Sequence, residues 1–303
     1  MKVTEESQSA DQPRVRGKVG LIAGWGRYPV VVAQRLKQQG YQVCCLAVKD
    51  HADPELRALC DAWQWIGVAQ LGKAIRFFRQ HGVSEATMAG KIHKVLLFQR
   101  WWMIRHCPDW TAIKTFFPHY ITRTQDRKDD TMLSTITNAF ARFGISFRPA
   151  TDFAPELLVN GGQLAGPPLS PATWHDVAFG WQIARELGRV DVGQTVVVKG
   201  RAVLALEAVE GTDQCIRRAG QLCPTGGFTV VKVAKPQQDM RFDVPTVGVG
   251  TLRTIYESGG RVLAIEAGRT ILLDDAEVLN FAREHRMSLV ACSDDQLATR
   301  AAA

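Results

Sequence analysis

Two short segments in the second half of the chain concentrate charged and polar side chains. The first is EGTD at residues 210–213, and the second is KPQQDMRFDVPTVG at residues 235–248. Each segment follows an apolar run that predicts a buried strand, and each precedes a stretch with helical character. Polar loops between strands and helices are where binding and catalytic groups gather. The two segments are therefore the strongest candidates for a reaction centre.

The side chains in these segments suit phosphoryl transfer, which depends on positioning, on cations and on an oriented nucleophile. Lys235 and Arg241 could neutralise phosphate oxygens. The carboxylates that could bind a divalent cation or activate water are Glu210, Asp213, Asp239 and Asp243. Magnesium prefers a few carboxylates together with substrate phosphates to a closed protein cage. Helix caps and surface ion pairs are the structural alternative for the same residues.

The first half of the chain alternates strand and helix patterns, with apolar β-branched runs that end at turns. The predicted strands are residues 18–24, 41–48 and 85–90, and the predicted helices are residues 30–39 and 69–81. The order strand, glycine turn, helix, strand is typical of a doubly wound sheet. We therefore predict an α/β fold, with an N-terminal Rossmann-like parallel-sheet domain and a C-terminal α/β domain.

The glycine turn after the first strand only partly matches a dinucleotide-binding fingerprint. Gly24 and Gly26 are present, but Pro29 stands where the third glycine belongs,. Lys49 follows the second strand, so the acidic residue expected at its end is missing. These departures weigh against a nucleotide-dependent oxidoreductase. An anion site at the start of the helix and a purely structural tight turn both stay open.

An aromatic-rich stretch, residues 96–117, precedes an acidic pair. At helical spacing such aromatic residues form a core or a dimer surface more often than a ligand groove, and a groove for acyl chains is the alternative. Asp129 and Asp130 open a predicted helix that runs to Phe143. Acidic residues stabilise a helix N-terminus, so the pair has a structural explanation. Asp130 is also a candidate substrate contact.

Glycine and proline mark the boundary between the two halves. NGGQLAGPPLSP at residues 160–171 is typical of a linker,. We predict a linker over residues 151–171 between domains at residues 18–150 and 172–295, with tails at residues 1–17 and 296–303. In the second domain the predicted strands are residues 195–199, 202–208 and 229–234, and the predicted helices are residues 172–187, 214–220 and 249–257.

Composition limits the class of protein. The chain has 303 residues and a formal net charge of +7, and no apolar run approaches the roughly 20 residues of a membrane-spanning helix. Its basic residues are scattered rather than grouped in a nucleic-acid motif, so we expect no nucleic-acid partner. Seven cysteines without a Cys-x-x-Cys pair indicate neither a disulfide framework nor a zinc site,. The polar N-terminus lacks a secretion signal, which predicts a cytoplasmic protein.

Several motifs resemble those of the LpxI family, the UDP-2,3-diacylglucosamine pyrophosphatases of lipid A biosynthesis. They occur in order over most of the chain: GLIAGWGRYPVVVA, the acidic pair, DVGQTVVV, LALEAVEGTD, KPQQDMRFDVPTVG and AIEAG. The EGTD and RFDVPT pieces are specific, and the glycine turn is moderately so. The departures are the N-terminal extension, the tryptophan-rich stretch, and Lys91 in place of a smaller polar residue.

The resemblance implies hydrolysis of UDP-2,3-diacylglucosamine to 2,3-diacylglucosamine 1-phosphate (lipid X) and UMP. It implies a magnesium-dependent enzyme at the cytoplasmic face of the inner membrane, in which water attacks the phosphorus nearer the sugar. The family architecture has two domains with the substrate between them, often in a homodimer. Peripheral contact with the inner membrane would then come from a surface patch or from the lipid itself.

The resemblance also implies roles for individual residues. Asp243, in the RFDVPT piece, is the implied central catalytic and metal-binding residue, and Asp213 is the second. Lys235 and Arg241 would stabilise charge in the transition state. The predicted substrate contacts are Gly24, Gly26, Lys91, Asp130, Gln194, Thr212 and Thr246. Of these, the resemblance implies Gln194 and Thr212. A nucleotide- or lipid-binding module without catalysis is the alternative class, and intact carboxylates in both segments weigh against it.

Overall fold

A computed structural model describes residues 16–92, 106–122, 129–242 and 244–301 of the chain. The chain divides into two compact units, Met1–Ala150 and Thr151–Ala303. Each unit has its own sheet and its own buried core. Across the described residues, no helix combines the length and apolar character needed to cross a membrane. Most of the predicted N-terminal tail lies outside the described residues, and the first strand begins at Gly17.

The N-terminal unit contains a five-stranded, wholly parallel sheet. Its strands lie in the order β3-β2-β1-β4-β5, and the register pairs β1 with both β2 and β4. The strands are β1 (Gly17–Ala23), β2 (Tyr41–Val48), β3 (Ala62–Ile66), β4 (Glu85–Ala89) and β5 (Ser146–Phe147). The buried positions of β2 run without interruption from Val43 to Val48, as expected for a parallel strand covered on both faces. This order confirms the predicted Rossmann-like domain.

Helices complete the N-terminal unit: α1 (Tyr28–Gln38), α2 (Leu56–Leu59), α3 (Leu71–Gln80), α4 (Trp110–Thr122) and α5 (Asp129–Ala141). Pro29 lies in the first turn of α1, where its missing N–H leaves no internal hydrogen bond unmade,. Phe78 and Phe140 are fully buried and bring α3 and α5 together. Asp109 accepts hydrogen bonds from the backbone N–H of Lys73 at 3.0 Å and of Ala112 at 2.9 Å, so one carboxylate serves the first turns of two helices.

The C-terminal unit is built on a mixed six-stranded sheet. The strand order is β6-β13-β11-β9-β7-β8, in which β13, β11 and β9 are mutually parallel and β6 and β7 are antiparallel to their neighbours. The strands are β6 (Gly162–Ala165), β7 (Thr195–Lys199), β8 (Ala202–Leu206), β9 (Thr229–Lys232), β11 (Val262–Glu266) and β13 (Ser288–Cys292). A separate parallel pair joins β10 (Thr246–Val247) to β12 (Ile271–Leu272).

Two groups of helices cover the two faces of this sheet. Before the sheet come the short helix α6 (Ala150–Phe153) and a 3-10 turn at Pro155–Leu157. The long helix α7 (Pro171–Arg189) and α11 (Asp294–Ala301) pack through Trp181 and Leu297 on one face. The other face is covered by α8 (Thr212–Leu222), α9 (Val249–Glu257) and α10 (Asp275–Glu284). This mixed α/β architecture confirms the predicted second domain.

The structure corrects the predicted linker and C-terminal tail. Residues 162–165 form the edge strand β6, and its pairing with β13 makes them part of the second domain. Residues 296–301 belong to α11, in which Leu297 is buried. The glycine- and proline-rich composition of the first segment reflects the turns around a short edge strand, where proline does not interrupt a ladder.

A buried carboxylate fixes the hairpin between β7 and β8. Gly200 and Arg201 both have φ near +57°, which is the backbone of a tight primed turn. Asp176 of α7 accepts hydrogen bonds from the N–H of Gly200 at 2.9 Å and of Arg201 at 2.6 Å. Its side chain, 8% exposed, therefore ties the helix to the far end of the hairpin.

Candidate functional site

Three strands of the C-terminal sheet bring polar residues to one edge. Because β7 is antiparallel to both β8 and β9, its first residue lies beside their last residues. Thr195 is in register with Lys232, and the N–H of Glu207 donates to the Thr195 carbonyl at 2.9 Å. The helix α8 starts at Thr212, five residues after Glu207. The EGTD segment and the end of β9 therefore meet at this edge.

Five residues at this edge are joined by hydrogen bonds of four side chains and one backbone carbonyl, and we call them the edge cluster: Thr195, Glu207, Thr212, Lys232 and Thr246. The Thr212 hydroxyl donates to Glu207 Oε1 at 2.9 Å, and Lys232 Nζ donates to Thr212 Oγ1 at 3.2 Å. Lys232 Nζ also donates to the backbone carbonyl of Thr246 at 3.4 Å. Glu207 is 8% and Lys232 6% exposed. The cluster thus joins EGTD to the segment that contains RFDVPT.

Close backbone packing holds the cluster in place. A Cβ on Gly193 would lie 2.1 Å from the carbonyl oxygen of Glu207, so only glycine lets the two segments approach this closely. The next residue, Gln194, accepts a hydrogen bond from the N–H of Val233 through its carbonyl. Within the described part of the chain, Gln194 Oε1 and Glu207 Oε2 are buried without a hydrogen-bond partner. Gln194, predicted as a substrate contact, therefore borders the edge cluster.

The N-terminus of α8 has the character of an anion site. Its N-cap residue is Gly211, with φ of +83°, and no side chain caps the helix. The first-turn N–H groups of a helix attract negative charge when no capping side chain occupies them. Asp213 lies in this turn and is exposed, so it does not serve as the cap. Thr212 and Asp213 are both predicted site residues. The Thr212 hydroxyl lies in the edge cluster, whereas the Asp213 side chain is exposed to solvent.

The predicted phosphate-binding cations are each paired with a carboxylate. Lys235 Nζ lies 2.7 Å from Asp191 Oδ1. Arg241 Nη2 lies 2.6 Å from Asp239 Oδ2, and this hydrogen bond lowers the pKa of Asp239 and raises the pKa of Arg241. Both pairs are partly exposed, so a phosphate could replace the carboxylate without opening the core. Asp243 lies outside the described residues.

A second, structural network supports the same edge. Arg185 of α7 makes a bidentate ion pair with Glu266 at the end of β11, with N–O distances of 2.9 and 3.1 Å. Glu266 Oε2 also accepts from the N–H of Ala234 at 2.8 Å, and Arg185 reaches Asp294 at 2.9 Å. The chain that leads into Lys235 is therefore anchored to α7, β11 and α11.

Sequence reasoning missed Lys232 and did not assign a role to Glu207. The available signal was a charged residue inside an otherwise apolar strand: Lys232 in TVVKVA and Glu207 in LALEA. A charge is rarely buried unless it is paired or functional. The structure brings Lys232 together with Thr212 and Thr246, which had been predicted from separate motifs.

In the N-terminal unit, the predicted contacts Gly24 and Lys91 are neighbours through their backbones. The N–H of Trp25 donates to the Lys91 carbonyl, and the N–H of Lys91 donates back to the Trp25 carbonyl. A Cβ on Gly24 would lie 2.8 Å from the Lys91 carbonyl oxygen, so this glycine allows the two turns to pack. Gly26 has φ of +104°, a conformation that favours glycine,.

The remaining N-terminal predictions have a simpler outcome. The acidic pair does open a helix, since α5 begins at Asp129. Asp130 belongs to its first turn, and its side chain lies outside the described set. Residues 93–105, which include the first ten residues of the aromatic stretch, also lie outside it. Trp110 of α4 is described and is 67% exposed. An aromatic this exposed is not part of the N-terminal core.

The carboxylates predicted to hold magnesium are Asp213, which is exposed in the first turn of α8, and Asp243, which lies outside the described residues. Within the described ranges, no group of three or more His, Cys, Asp or Glu side chains is arranged to hold a metal ion. Magnesium does not need such a cage, because one or two carboxylates and substrate phosphates complete its coordination. The solvent-exposed position of Asp213 leaves its carboxylate accessible to such an ion.

Comparison with known proteins covers both units. A family model described as the LpxI N-terminal domain matches residues 18–157, and one described as the LpxI C-terminal domain matches residues 160–290. The chain is 28% identical over 291 residues to a Caulobacter vibrioides protein named UDP-2,3-diacylglucosamine pyrophosphatase LpxI. This similarity spans 92% of the chain and 94% of the Caulobacter protein.

Proposed function

Since the chain belongs to the LpxI family, matched in both of its domains, we propose that it hydrolyses the pyrophosphate bond of UDP-2,3-diacylglucosamine in lipid A biosynthesis. The products are 2,3-diacylglucosamine 1-phosphate and UMP. The observation that carries this proposal is the meeting of two family motifs around one buried lysine, since Lys232 contacts Thr212 of EGTD and Thr246 of RFDVPT.

The geometry of the edge cluster suits the charge of a pyrophosphate. The uncapped N-terminus of α8 presents backbone N–H groups, and the ammonium of Lys232 is held beside the first residue of the same helix. Positive groups fixed in a water-poor setting stabilise the charge that develops on phosphate oxygens. Lys235 and Arg241 would exchange their carboxylate partners for phosphate when substrate binds.

Magnesium is the proposed cofactor, held by Asp243 and Asp213 together with substrate phosphates. Bound there, the ion would neutralise charge on the pyrophosphate and orient water. Thr212 and Lys232 would bind and orient the phosphates. The water attacks the phosphorus nearer the sugar, and UMP leaves. Removal of Asp243 would then abolish turnover without unfolding the protein.

The chemistry of the substrate suggests where the enzyme acts. A diacylated sugar nucleotide stays in a membrane leaflet through its acyl chains, while the UDP group lies in water. We therefore propose a cytoplasmic enzyme with peripheral contact at the inner membrane. The homodimer that the family resemblance implies is a separate part of the proposal. Flotation with liposomes and light scattering test these two parts separately.

The direct test incubates purified protein with UDP-2,3-diacylglucosamine, with magnesium or with excess EDTA. We expect release of UMP and the sugar 1-phosphate in equal amounts with magnesium only, and loss of both in Asp243→Ala. Absence of UMP with every divalent ion tried would refute the proposed reaction. Full activity of Asp243→Ala would refute the assignment of its central residue.

A further inference from the structure

Glu207 is a buried acidic residue that the reaction described above does not use. It interrupts an apolar run directly after β8 and is 8% exposed. Its Oε1 accepts from the Thr212 hydroxyl, and its Oε2 is buried with no hydrogen-bond partner among the described residues. A buried carboxylate with one neutral donor destabilises a fold. Its presence beside a candidate site therefore indicates a functional role.

The direction of the hydrogen bonds shows what Glu207 does to Thr212. An ammonium group can only donate, so Thr212 Oγ1 must accept from Lys232 Nζ,. The single proton of the hydroxyl is then left for Glu207 Oε1. Thr195 Oγ1 lies 3.5 Å from Thr212 Oγ1 and can donate to it, so this one orientation of the Thr212 hydroxyl satisfies all three neighbours,. The carboxylate thus sets the direction of the Thr212 O–H bond, which leaves a lone pair of Oγ1 to accept from Lys232 Nζ.

We propose that Glu207 is a positioning residue: acting through the Thr212 hydroxyl, it holds the Lys232 ammonium at the uncapped N-terminus of α8 for the pyrophosphate of the substrate. This inference rests on the proposed function and adds a residue to the same site. Glu207 also places negative charge one hydroxyl group away from the buried ammonium of Lys232, and opposite charges offset part of the cost of burying each other. The bound phosphates then meet a cation that is already in place.

The change Glu207→Gln tests the charge while keeping the size of the side chain. We expect kcat to fall about 10- to 100-fold, the effect of one charge-assisted hydrogen bond, and KM to change less than about threefold. This split is expected because negative charge on the phosphate oxygens grows in the transition state, so a misplaced Lys232 ammonium costs more there than in the ground state.

Substitutions of Thr212 identify the path of the effect. Thr212→Val keeps the shape and removes the hydroxyl, and Thr212→Ser keeps the hydroxyl. We expect the valine variant to lose activity and the serine variant to retain at least about a third of it. In the double variant, Glu207→Gln should add less than about twofold to the loss from Thr212→Val, because both changes break one chain of contacts.

Asp176→Asn is the matched control, because Asp176 and Glu207 are both 8% exposed carboxylates of the same domain. Asp176 binds the hairpin turn at the opposite end of β7 from Thr195. We expect this variant to melt at a lower temperature and keep kcat within about twofold. Comparing the two variants separates positioning from a general effect of losing a buried charge.

The outcomes distinguish the inference from the function it rests on. If the wild-type protein releases no UMP, the proposed function fails and this role for Glu207 fails with it. If the wild type is active and a folded Glu207→Gln variant matches its kcat, only the role of Glu207 is refuted. Should Glu207→Gln fail to fold, full activity in Thr212→Val would still refute the proposed path.

Discussion

Replacement of Gly193 by alanine tests whether the edge cluster depends on close backbone packing. The added Cβ would lie 2.1 Å from the carbonyl oxygen of Glu207 and 2.8 Å from its carbonyl carbon. Ordinary contacts between such atoms begin above about 3 Å, so the two segments must separate by about 1 Å. That shift would break the 2.9 Å hydrogen bond from the Glu207 N–H to the Thr195 carbonyl.

The expected loss of stability follows from these two effects. Overpacking a tight site costs about 1–3 kcal/mol, and the lost hydrogen bond costs about 1 kcal/mol. Gly193→Ala should therefore lower the free energy of unfolding by about 2–4 kcal/mol. Because Glu207 would move with its backbone, and misplacement by 1 Å can cost about 100-fold in rate, we also expect kcat for UMP release to fall by 10-fold or more.

Urea unfolding followed by tryptophan fluorescence measures the first effect, and steady-state release of UMP measures the second. Gly250→Ala is the matched control, because a Cβ there meets nothing within 4 Å. Alanine in the helix α9 should leave kcat unchanged and raise stability by up to about 1 kcal/mol. If Gly193→Ala unfolded at the wild-type urea concentration with wild-type kcat, the described packing of Gly193 against Glu207 would be wrong.

Two further predictions concern the N-terminal unit. Asp109→Ala removes the acceptor for the N–H groups of Lys73 and Ala112. It should lower the free energy of unfolding, measured in urea, by about 2 kcal/mol. An unchanged urea midpoint would contradict the role of Asp109 at the first turns of both helices. Burial lowers the pKa of His106, partly opposed by its hydrogen bond to Asp50, so the unfolded chain takes up a proton at higher pH than the folded one. The stability that neutral His106 contributes is thus complete above about pH 6.5 and is lost as pH falls through the folded-state pKa. The variant His106→Asn should therefore flatten the plot of melting temperature against pH below about pH 6.5. An unchanged slope would contradict this role of His106.

The N-terminal fold was predictable because its signals are local. The apolar runs that became β1, β2 and β4 end at turns, and the helices between them begin or end at proline or glycine. The strand β3 was not predicted, because AWQWI lacks an uninterrupted β-branched run. Its place at the sheet edge comes from pairing with β2, which is a tertiary contact,.

The predicted linker over residues 151–171 was wrong at Gly162–Ala165 for the same reason that β3 was missed, since a tertiary contact forms the strand. Gly162–Ala165 is four residues long and lies among glycines and prolines, so its local sequence favours a loop. It becomes a strand because β13 offers a free edge in the same domain. The partner lies more than 120 residues away in the sequence, and composition carries no information about it.

The candidate site was predictable by motif and not by geometry. EGTD and RFDVPT were recognisable as the pieces that carry charge, but nothing local indicates that Thr212 and Thr246 share Lys232. That meeting depends on the register of β7 against β9, in which Thr195 pairs with Lys232. The pairing of Arg241 with Asp239 depends on how the loop folds.

The most direct test of the proposed reaction is hydrolysis of UDP-2,3-diacylglucosamine in water enriched in oxygen-18, with mass analysis of both products. Attack on the phosphorus nearer the sugar predicts one labelled oxygen in the 2,3-diacylglucosamine 1-phosphate and none in UMP. Label in UMP would contradict the proposed direction of attack. If neither product forms with magnesium present, the chain is not the hydrolase that we propose.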